Sequence, residues 1–396
     1  MIGLIALCCA YVLSQFFRSF LAVLTPALST DIGATTADLS IASSAWFLAF
    51  AAMQFAVGVG LDRYGPRRTA AWLLGIAGAG GGFLFAYAQT PSMIVLAMAL
   101  IGIGCSPVLM ASLFIFARLY SAGRFALLTS IFIGIGSLGN IGGASPLAAA
   151  AEAFGWRSVM AGLAVVTLLI AAAILFWVKD PPKEGDAEDT SFAGYIELLR
   201  LKPLWFIYCM MLFNYSVAAG IRGLWAGPYL GDVFGLGVLA IGEVTLFMAL
   251  AMAIGSFLYG PLDTFFNTRK WVVVGGSVIT LGTLTALAVN PLMSVWSISV
   301  ALVIIGLAGS GFGVIMAHSK AFFPAHLIGR GVTLLNFCAI FGAGLMQYLT
   351  GAVVDAYKVP EQPEAAYSAL FWFYTAVLGV ALVIYLFSKD AKPKTV

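Results

Sequence analysis

The chain alternates long apolar segments with short polar ones along most of its 396 residues. Each apolar segment is long enough for an α-helix to cross the hydrocarbon core of a bilayer, which takes about 20 residues. Six such spans precede residues 179–202 and six follow them, at about 3–28, 39–61, 69–89, 92–117, 125–151 and 157–178, then 203–230, 238–262, 271–290, 294–320, 327–355 and 366–388. The pattern predicts an all-α polytopic membrane protein with 12 transmembrane helices.

Composition and charge agree with this interpretation. Hydrophobic residues make up 62% of the chain and charged residues 9%, against about 25% charged in a soluble domain. Sixteen of the 20 Lys and Arg residues fall on one side of the predicted membrane, while Arg157 and Lys358 fall on the other. The positive-inside rule then places both termini in the cytoplasm. The expected location is a plasma membrane of the bacterial inner-membrane type. Topology explains the net charge of +3, so no nucleic-acid partner is expected.

The two sets of spans carry an internal repeat. Three landmarks recur in order at offsets of 201 to 206 residues: Tyr11 and Arg18 at Tyr215 and Arg222, Asp62 at Asp263, and Gly123-Arg124 at Gly329-Arg330. The repeat predicts two pseudo-symmetric six-helix bundles, 1–178 and 203–396, joined by a cytoplasmic linker at 179–202. In such a design the substrate is expected between the halves, near the middle of the membrane.

Arg18 and Arg222 are the strongest candidates for chemistry. An arginine at the centre of a membrane helix costs about 2.5–3.5 kcal/mol on insertion scales and normally marks a substrate or ion path. No acidic residue lies near either arginine in the sequence. The pair therefore predicts a small anion held by bidentate hydrogen bonds; the alternative is that each guanidinium binds backbone carbonyls or anchors helix ends.

Other polar residues of the spans are candidate substrate contacts. Tyr11 and Tyr215 each precede an arginine by seven residues, which places them on the same face of a regular helix. Ordinary packing is the alternative for every member of the set: Tyr11, Gln15, Tyr215, Trp225, Asn140 and Asn336.

The loop after the second span carries a motif. It reads Gly58-Val-Gly-Leu-Asp62-Arg63-Tyr-Gly65-Pro-Arg67-Arg68, and a degenerate copy follows span 8 at Gly260-Pro-Leu-Asp263. This motif resembles the loop 2–3 signature of the major facilitator superfamily, and the resemblance covers the whole chain. The superfamily fold is then expected, with the loop acting as a gating latch or, alternatively, as a topology anchor alone. The latch residues are Gly58, Asp62, Arg63, Gly65, Arg67, Arg68 and Asp263.

The resemblance also gives the arginines a setting. In the superfamily, spans 1 and 7 line the central cavity, and an arginine pair there is similar to that of the organophosphate and organic-anion carriers, including sugar-phosphate permeases. It implies a secondary active transporter that moves a carboxylate or an organophosphate by alternating access. A drug or lipophile exporter of the same fold and a non-transporting ligand sensor are the alternatives. Span 5 lacks the Gly-Pro expected of the drug antiporters, since Leu138-Gly139 precedes Asn140.

The coupling ion is less well indicated. No Asp or Glu lies at the centre of a predicted span, so the candidates for proton coupling are Glu243, Glu152 and His318. The absence of a central carboxylate favours anion exchange or a uniport-like cycle, and proton symport through one of these three residues is the alternative; the coupled species is then a counter-anion or a proton.

Enzymatic chemistry is not indicated. The sequence has no HExxH motif and no phosphate-binding loop, and Gly134-Ile-Gly136-Ser-Leu-Gly139 matches GxGxxG outside any βαβ unit. The five cysteines lie in apolar spans without metal-ligand spacing. We therefore expect no enzyme activity, no cofactor and no metal, and a monomer whose partners are the lipid bilayer and a small anion.

Overall fold

The computed structural model describes residues 2–119, 122–182, 193–324, 327–359 and 361–392. The side chains of 62, 117, 122–127, 129–130, 193 and 329 lie outside this description. Linker residues 183–192 are therefore not described, and the Gly123-Arg124 landmark, Asp62 and Gly329 are described by their backbone alone. The chain folds into two compact units, unit 1 over Met1–Thr190 and unit 2 over Ser191–Val396. The boundary between them falls within the predicted linker.

Helices account for nearly all of the described residues, and within those residues only an isolated bridge between Val359 and Gln362 has β character. In the described ranges, ten helices are long and apolar enough to cross a membrane, and two bent helix pairs raise the number to as many as 12. The predicted all-α polytopic fold is confirmed.

Unit 1 contains the first six spans. They are span 1 (Ile2–Phe16 and Leu21–Ile32), span 2 (Thr36–Tyr64), span 3 (Pro66–Trp72, a π-helical stretch Leu73–Ala79, and Gly80–Ala86), span 4 (Pro91–Cys105 and Val108–Leu119), span 5 (Ala122–Gly142 and Ser145–Phe154) and span 6 (Trp156–Trp177).

Unit 2 begins with a short helix, Ala193–Arg200, and continues with the other six spans. They are span 7 (Lys202–Gly220, a π-helical stretch Ile221–Trp225, and Ala226–Phe234), span 8 (Val238–Phe265), span 9 (Lys270–Val289), span 10 (Val295–Ala308 and Phe312–Lys320), span 11 (Ile328–Ala356) and span 12 (Pro363–Leu386).

Local sequence sets where these helices begin and bend. Gly33 ends the first bent pair with a φ of 65°, a left-handed conformation that favours glycine. Thr35 and Asp38 then form a capping box, since the Thr35 side chain accepts from the Asp38 N–H and the Asp38 carboxylate accepts from the Thr35 N–H. These reciprocal bonds fix the start of span 2.

Glycines bring equivalent spans into close contact in both units. A Cβ atom at Gly139 of span 5 would overlap the carbonyl oxygen of Val12 in span 1. A Cβ atom at Gly342 of span 11 would likewise overlap the carbonyl oxygen of Leu212 in span 7. Small residues permit such backbone approach between membrane helices. Gly342 and Leu212 each lie about 200 residues after Gly139 and Val12, respectively. The sequence repeat is therefore also a repeat of helix packing.

Candidate anion-binding site

Arg18 lies in the break of span 1. The two helices of that span are bent by 57°. Residues 17–20 connect them through tight turns, because the N–H of Arg18 donates to Gln15 O at 3.3 Å and the N–H of Ser19 donates to Phe16 O at 3.1 Å. A regular helix therefore does not join Tyr11 to Arg18. The prediction that seven-residue spacing places these two residues on one continuous helical face is wrong for span 1.

Aromatic rings of span 2 lie under the Arg18 guanidinium. Its Cζ atom is 5.4 Å from the ring centre of Trp46 and 5.0 Å from that of Phe50. Both rings are buried and stack on each other, with centres 5.1 Å apart. Cation–π contacts of this kind contribute about 0.5–2 kcal/mol. They hold the guanidinium in place without neutralising its charge.

Main-chain oxygens do not satisfy Arg18 Nε in the described part of the chain. This atom is buried without a hydrogen-bond partner there, and no described carboxylate lies within ion-pair distance of the side chain. The side chain as a whole is only half-buried. A cation with a buried, unused donor and a partly open approach is suited to bind an anion.

Tyr11 and Gln15 bond to each other one turn before the break. Gln15 Nε2 donates to the Tyr11 hydroxyl at 2.8 Å. The Tyr11 ring is buried and stacks on Phe132 of span 5 at 4.9 Å, and a Cβ atom at Gly136 would overlap it. Tyr11 therefore packs span 1 against span 5, which favours the packing interpretation for this residue.

Arg222 lies in the π-helical stretch of span 7. Its side chain is 5% exposed, so the guanidinium is enclosed by apolar spans. π-Helical turns inside α-helices occur frequently at functional sites. This turn places the second predicted arginine in an irregular segment of its span, as the break does for Arg18 in unit 1.

The other predicted contacts in unit 2 differ from one another. Trp225 is buried and its Nε1 donates to Thr350 Oγ1 of span 11 at 2.9 Å, so its donor is used within the protein. Tyr215 is half-buried against Phe312, with ring centres 6.0 Å apart. Asn336 is half-buried on span 11, as Asn140 is on span 5 of unit 1.

The loop between spans 2 and 3 is tied to the end of span 6. The N–H of Arg67 donates to Asp180 Oδ1 at 2.8 Å, and Arg67 Nε lies 3.5 Å from Asp180 Oδ2. Gly65 has a φ of 85°, and a Cβ atom there would lie 2.8 Å from the same carboxylate. Gly65 is therefore required both by its conformation and by the close approach of Asp180.

The remaining predicted latch residues of unit 1 play smaller parts in the described contacts. Arg68 is exposed, and so is Arg63, whose Cζ lies 5.5 Å from the Tyr64 ring. A Cβ atom at Gly58 would have open space around it, so close packing does not require glycine there. The side chain of Asp62 lies outside the description.

Unit 2 has a related arrangement after span 8. Arg269 Nε lies 3.3 Å from Asp263 Oδ2, and Arg269 Nη1 donates to Ala317 O of span 10 at 3.1 Å. Asp390, which follows span 12 as Asp180 follows span 6, accepts from Thr268 Oγ1 at 2.6 Å and from the Lys270 N–H at 3.0 Å. The two units therefore anchor equivalent loops to equivalent aspartates.

Comparison with known protein families agrees with this repeated architecture. The model of the Major Facilitator Superfamily matches residues 7–242 and 218–396. The chain belongs to the Major Facilitator Superfamily. Its predicted fold of two six-helix bundles is the fold of that superfamily.

Two superfamily relatives are similar to the chain in sequence. The rat MFS-type transporter SLC18B1 is 25% identical over 249 residues, 61% of this chain and 53% of the relative. The probable sulfoacetate transporter SauU of Cupriavidus necator is 22% identical over 294 residues, 70% of this chain and 68% of the relative. The match with SLC18B1 spans about half the length of that relative.

Solved superfamily structures share the fold. A bacterial homologue of the human lysosomal transporter Spinster, in an inward-facing and occupied conformation, has a TM-score of 0.78 at 19% identity, over 97% of this chain and 96% of that chain. The D-xylose–proton symporter has a TM-score of 0.79 at 15% identity, over 99% of both chains. At these identities the likeness establishes the fold alone.

The three residues predicted for proton coupling in this superfamily member have different surroundings. His318 is fully buried, with Nδ1 2.6 Å from the Tyr385 hydroxyl and Nε2 2.8 Å from Lys389 O. Both ring nitrogens are thus engaged at the end of span 12, which favours a structural role. Glu152 and Glu243 are exposed near the ends of their helices, and Glu243 lines an apolar groove of about 480 Å³ between spans 8 and 10.

Sequence reasoning missed two of the partners that the fold reveals. Phe50 lies four residues after Trp46, a spacing that a helix turns into one face, but an aromatic pair in an apolar span is typical of ordinary packing. Asp180 lies just before Pro181 at the end of span 6, where it resembles part of a solvated linker. Only the folded structure connects these residues to Arg18 and Arg67.

Proposed function

We propose that this superfamily member is a secondary active transporter that carries a small organic anion by alternating access, with Arg18 and Arg222 as the residues that bind it. The observation that carries the proposal is Arg18. Its guanidinium lies deep within an apolar span on two aromatic rings, and its Nε is buried without a hydrogen-bond partner among the described residues. An anionic guest would supply a partner for that donor and offset the cost of placing a half-buried charge in an apolar span.

Two further findings support an anion. Arg222, at the equivalent position of the repeat, is buried in a distorted helical turn of span 7. The Cupriavidus necator relative is named for sulfoacetate, a small molecule with one sulfonate and one carboxylate. We therefore include sulfonates beside carboxylates and organophosphates as candidate cargo.

The test measures uptake of radiolabelled sulfoacetate, malonate and ethyl phosphate by proteoliposomes. Arg18→Ala and Arg222→Ala are each expected to reduce uptake to background, and Arg18→Lys to reduce it strongly, because lysine keeps the charge but loses the bidentate geometry. Arg200→Ala is the matched control, since Arg200 is exposed on the short helix before span 7. Uptake retained in both alanine variants contradicts the proposal and favours the lipophile exporter. Binding without uptake favours the ligand sensor.

We further propose anion exchange as the transport mode. Glu152 and Glu243 are exposed, and both ring nitrogens of His318 are engaged, so these three groups are poorly placed to carry protons through the protein. Exchange predicts that efflux of preloaded anion requires an anion outside and does not acidify the lumen. Pyranine fluorescence inside the vesicles distinguishes this result from proton symport.

The proposal places the protein as a monomer in a plasma membrane, with both termini on the cytoplasmic side and the halves 1–178 and 203–396 as its moving parts. The distribution of basic residues supports the orientation. The native cysteines lie in the spans, so single cysteines can report on the sides. Lys358→Cys in intact cells should react with an impermeant maleimide and Lys392→Cys should not; the reverse result contradicts the orientation.

A further inference from the structure

One face of span 2 continues beyond the rings that support Arg18. Trp46, Phe50 and Gln54 are spaced four residues apart and therefore follow one another along the same side of the helix. Their exposed fractions are 0%, 2% and 3%. Gln54 lies one turn from Phe50, about 6 Å along the helix axis. The Arg18 guanidinium lies on the two aromatic rings, and the buried Gln54 amide follows them on the same side of span 2; we call Arg18, Trp46, Phe50 and Gln54 the cluster of unit 1.

Three polar atoms of this cluster are buried and unused. Arg18 Nε, Trp46 Nε1 and Gln54 Oε1 have no hydrogen-bond partner in the described ranges of the chain. The opposite end of the Gln54 amide donates from Nε2 to Ser106 O of span 4 at 3.4 Å. Because a carbonyl oxygen can only accept, this bond assigns the nitrogen to Ser106 and leaves Gln54 Oε1 as the unused acceptor.

Nearby polar groups of unit 1 are satisfied differently. Ser106, Ser112 and Thr167 donate their hydroxyls to carbonyl oxygens of their own helices, at 2.7, 2.8 and 2.7 Å. Among the described residues of unit 1, the other buried side-chain atoms without a hydrogen-bond partner are Arg67 Nε and Thr69 Oγ1, at the start of span 3. The three unused atoms of the cluster lie on spans 1 and 2. Buried polar groups normally find a partner, so the cluster is arranged for a guest that supplies one.

The hydrogen-bonding inventory of the cluster specifies that guest. Arg18 and Trp46 offer N–H donors and require acceptors, whereas Gln54 Oε1 is an acceptor and requires a donor. An anionic group supplies the acceptors that Arg18 and Trp46 require. A fully ionised anion without a hydroxyl supplies no donor for Gln54 Oε1. A hydroxyl group on the same molecule supplies that donor.

We propose that the cluster of Arg18, Trp46 and Gln54 selects small organic anions that also carry a hydroxyl group, with Gln54 Oε1 accepting the hydrogen bond from that hydroxyl. This inference rests on the proposed function and specifies its substrate class. Arg18 contacts both Trp46 and Phe50, and two carbon atoms between the anionic group and the hydroxyl can bridge the single turn of span 2 from Phe50 to Gln54. Trp46 then joins Arg18 as a donor to the anionic group.

The test uses three pairs of ligands that differ only in a hydroxyl: 3-hydroxypropionate and propionate, isethionate and ethanesulfonate, and 2-hydroxyethyl phosphate and ethyl phosphate. Isothermal titration of the purified full chain in nanodiscs gives the dissociation constant of each. In at least one pair, the hydroxylated member is expected to bind about tenfold more tightly to the native protein, as one buried hydrogen bond allows. Gln54→Met should bring that ratio close to one while the affinity for the deoxy member stays the same.

Further variants separate binding from folding. Trp46→Phe keeps a ring under Arg18 and removes the N–H, so both members of a pair should weaken equally. Thr167→Val is the matched control, since Thr167 is as buried as Gln54 but bonds to Leu163 O in its own helix; it should change neither constant. If Gln54→Met does not give a monodisperse protein that unfolds cooperatively, Gln54→Leu replaces it in the same measurement.

The results have distinct meanings. A hydroxyl preference that persists in both Gln54 variants overturns the inference, and so does a native protein that binds the members of every pair equally. If the native protein binds both members of every pair equally and Arg18→Ala abolishes that binding, the inference fails but the proposed function is still supported. If none of the six anions binds the native protein, the proposed function and this inference both fail.

Discussion

Asp180 accepts a hydrogen bond from the backbone N–H of Arg67 at 2.8 Å, and its second oxygen lies 3.5 Å from the Arg67 side chain. Both residues belong to unit 1. This contact therefore stabilises one unit, with the loop after span 2 held to the end of span 6. A latch that changes between transport states would have to use other atoms, such as the Asp62 carboxylate, whose placement is outside the description.

Asp180→Asn should lower the stability of unit 1. The variant loses the negative charge that attracts the Arg67 side chain, but its amide oxygen can still accept from the Arg67 backbone N–H. Exposed ion pairs contribute about 0–1 kcal/mol, and the side chains here are 34% and 30% exposed, so the expected loss is in that range. Thermal unfolding in nanodiscs measures it. Asp355→Asn, an exposed aspartate at the end of span 11, is the control, and an equal shift in both variants contradicts the assignment.

Asp390 should make the stability of unit 2 depend on acid pH. Partial burial alone would raise its pKa, but hydrogen bonds from the Thr268 hydroxyl and the Lys270 N–H, with smaller contributions from His318 and the Ala391 N–H, lower the pKa below the usual value. A carboxyl group whose pKa is lowered on folding stabilises the protein above its unfolded pKa of about 3.9, and that stabilisation is lost as the pH falls through the folded pKa.

The measurement is the unfolding temperature of the native protein and of Asp390→Asn between pH 7 and pH 3. The variant should unfold at a lower temperature at pH 7, and the difference should shrink toward pH 3. A difference that is constant with pH would show that the charge of Asp390 makes no contribution.

The sequence predicts the spans because a bilayer imposes a simple length and polarity rule on helices. It also predicts Arg18 and Arg222, since a buried charge is conspicuous in an apolar run. It does not predict the break at residues 17–20 or the π-helical stretch Ile221–Trp225, because both depend on hydrogen-bond shifts of one residue that apolar periodicity does not encode. Face assignments by helical spacing are least reliable at those places.

Partners that are distant in sequence are the second limit. Nothing in the sequence connects Asp180 with Arg67, 113 residues away, or identifies the rings of span 2 as the support of Arg18. Trp225 shows the same limit from the opposite direction. Its polar N–H makes it a reasonable substrate contact, and only the fold reveals Thr350 as its partner.

Trp225→Phe should therefore reduce stability more than it reduces anion affinity. The variant keeps the ring and removes a buried hydrogen bond to Thr350, whose hydroxyl still donates to Met346 O at 2.7 Å. The expected loss is about 0.5–1.5 kcal/mol of unfolding free energy. Trp296→Phe is the control, because Trp296 is 76% exposed. A large loss of anion affinity with unchanged stability would instead support Trp225 as a substrate contact.

An added methyl group at Gly139 or Gly342, where spans 1 and 5 and spans 7 and 11 pack closely, should destabilise the protein. Gly139→Ala and Gly342→Ala each place a Cβ atom on a carbonyl oxygen of the facing span, Val12 and Leu212 respectively. Overpacking of this kind costs about 1–3 kcal/mol, so both variants should unfold at lower temperature and give less monodisperse protein.

Gly162→Ala is the control for these crossings. Gly162 lies within span 6, and a Cβ atom there would meet nothing within 4 Å. Its replacement should be neutral or stabilising by up to about 1 kcal/mol, because alanine is the better helix former. If the three variants behave alike, helix propensity alone sets the outcome and the repeated close packing of spans 1 with 5 and 7 with 11 has no energetic consequence. If the two crossing variants are destabilised by similar amounts, the repeat extends from sequence and packing to energetics.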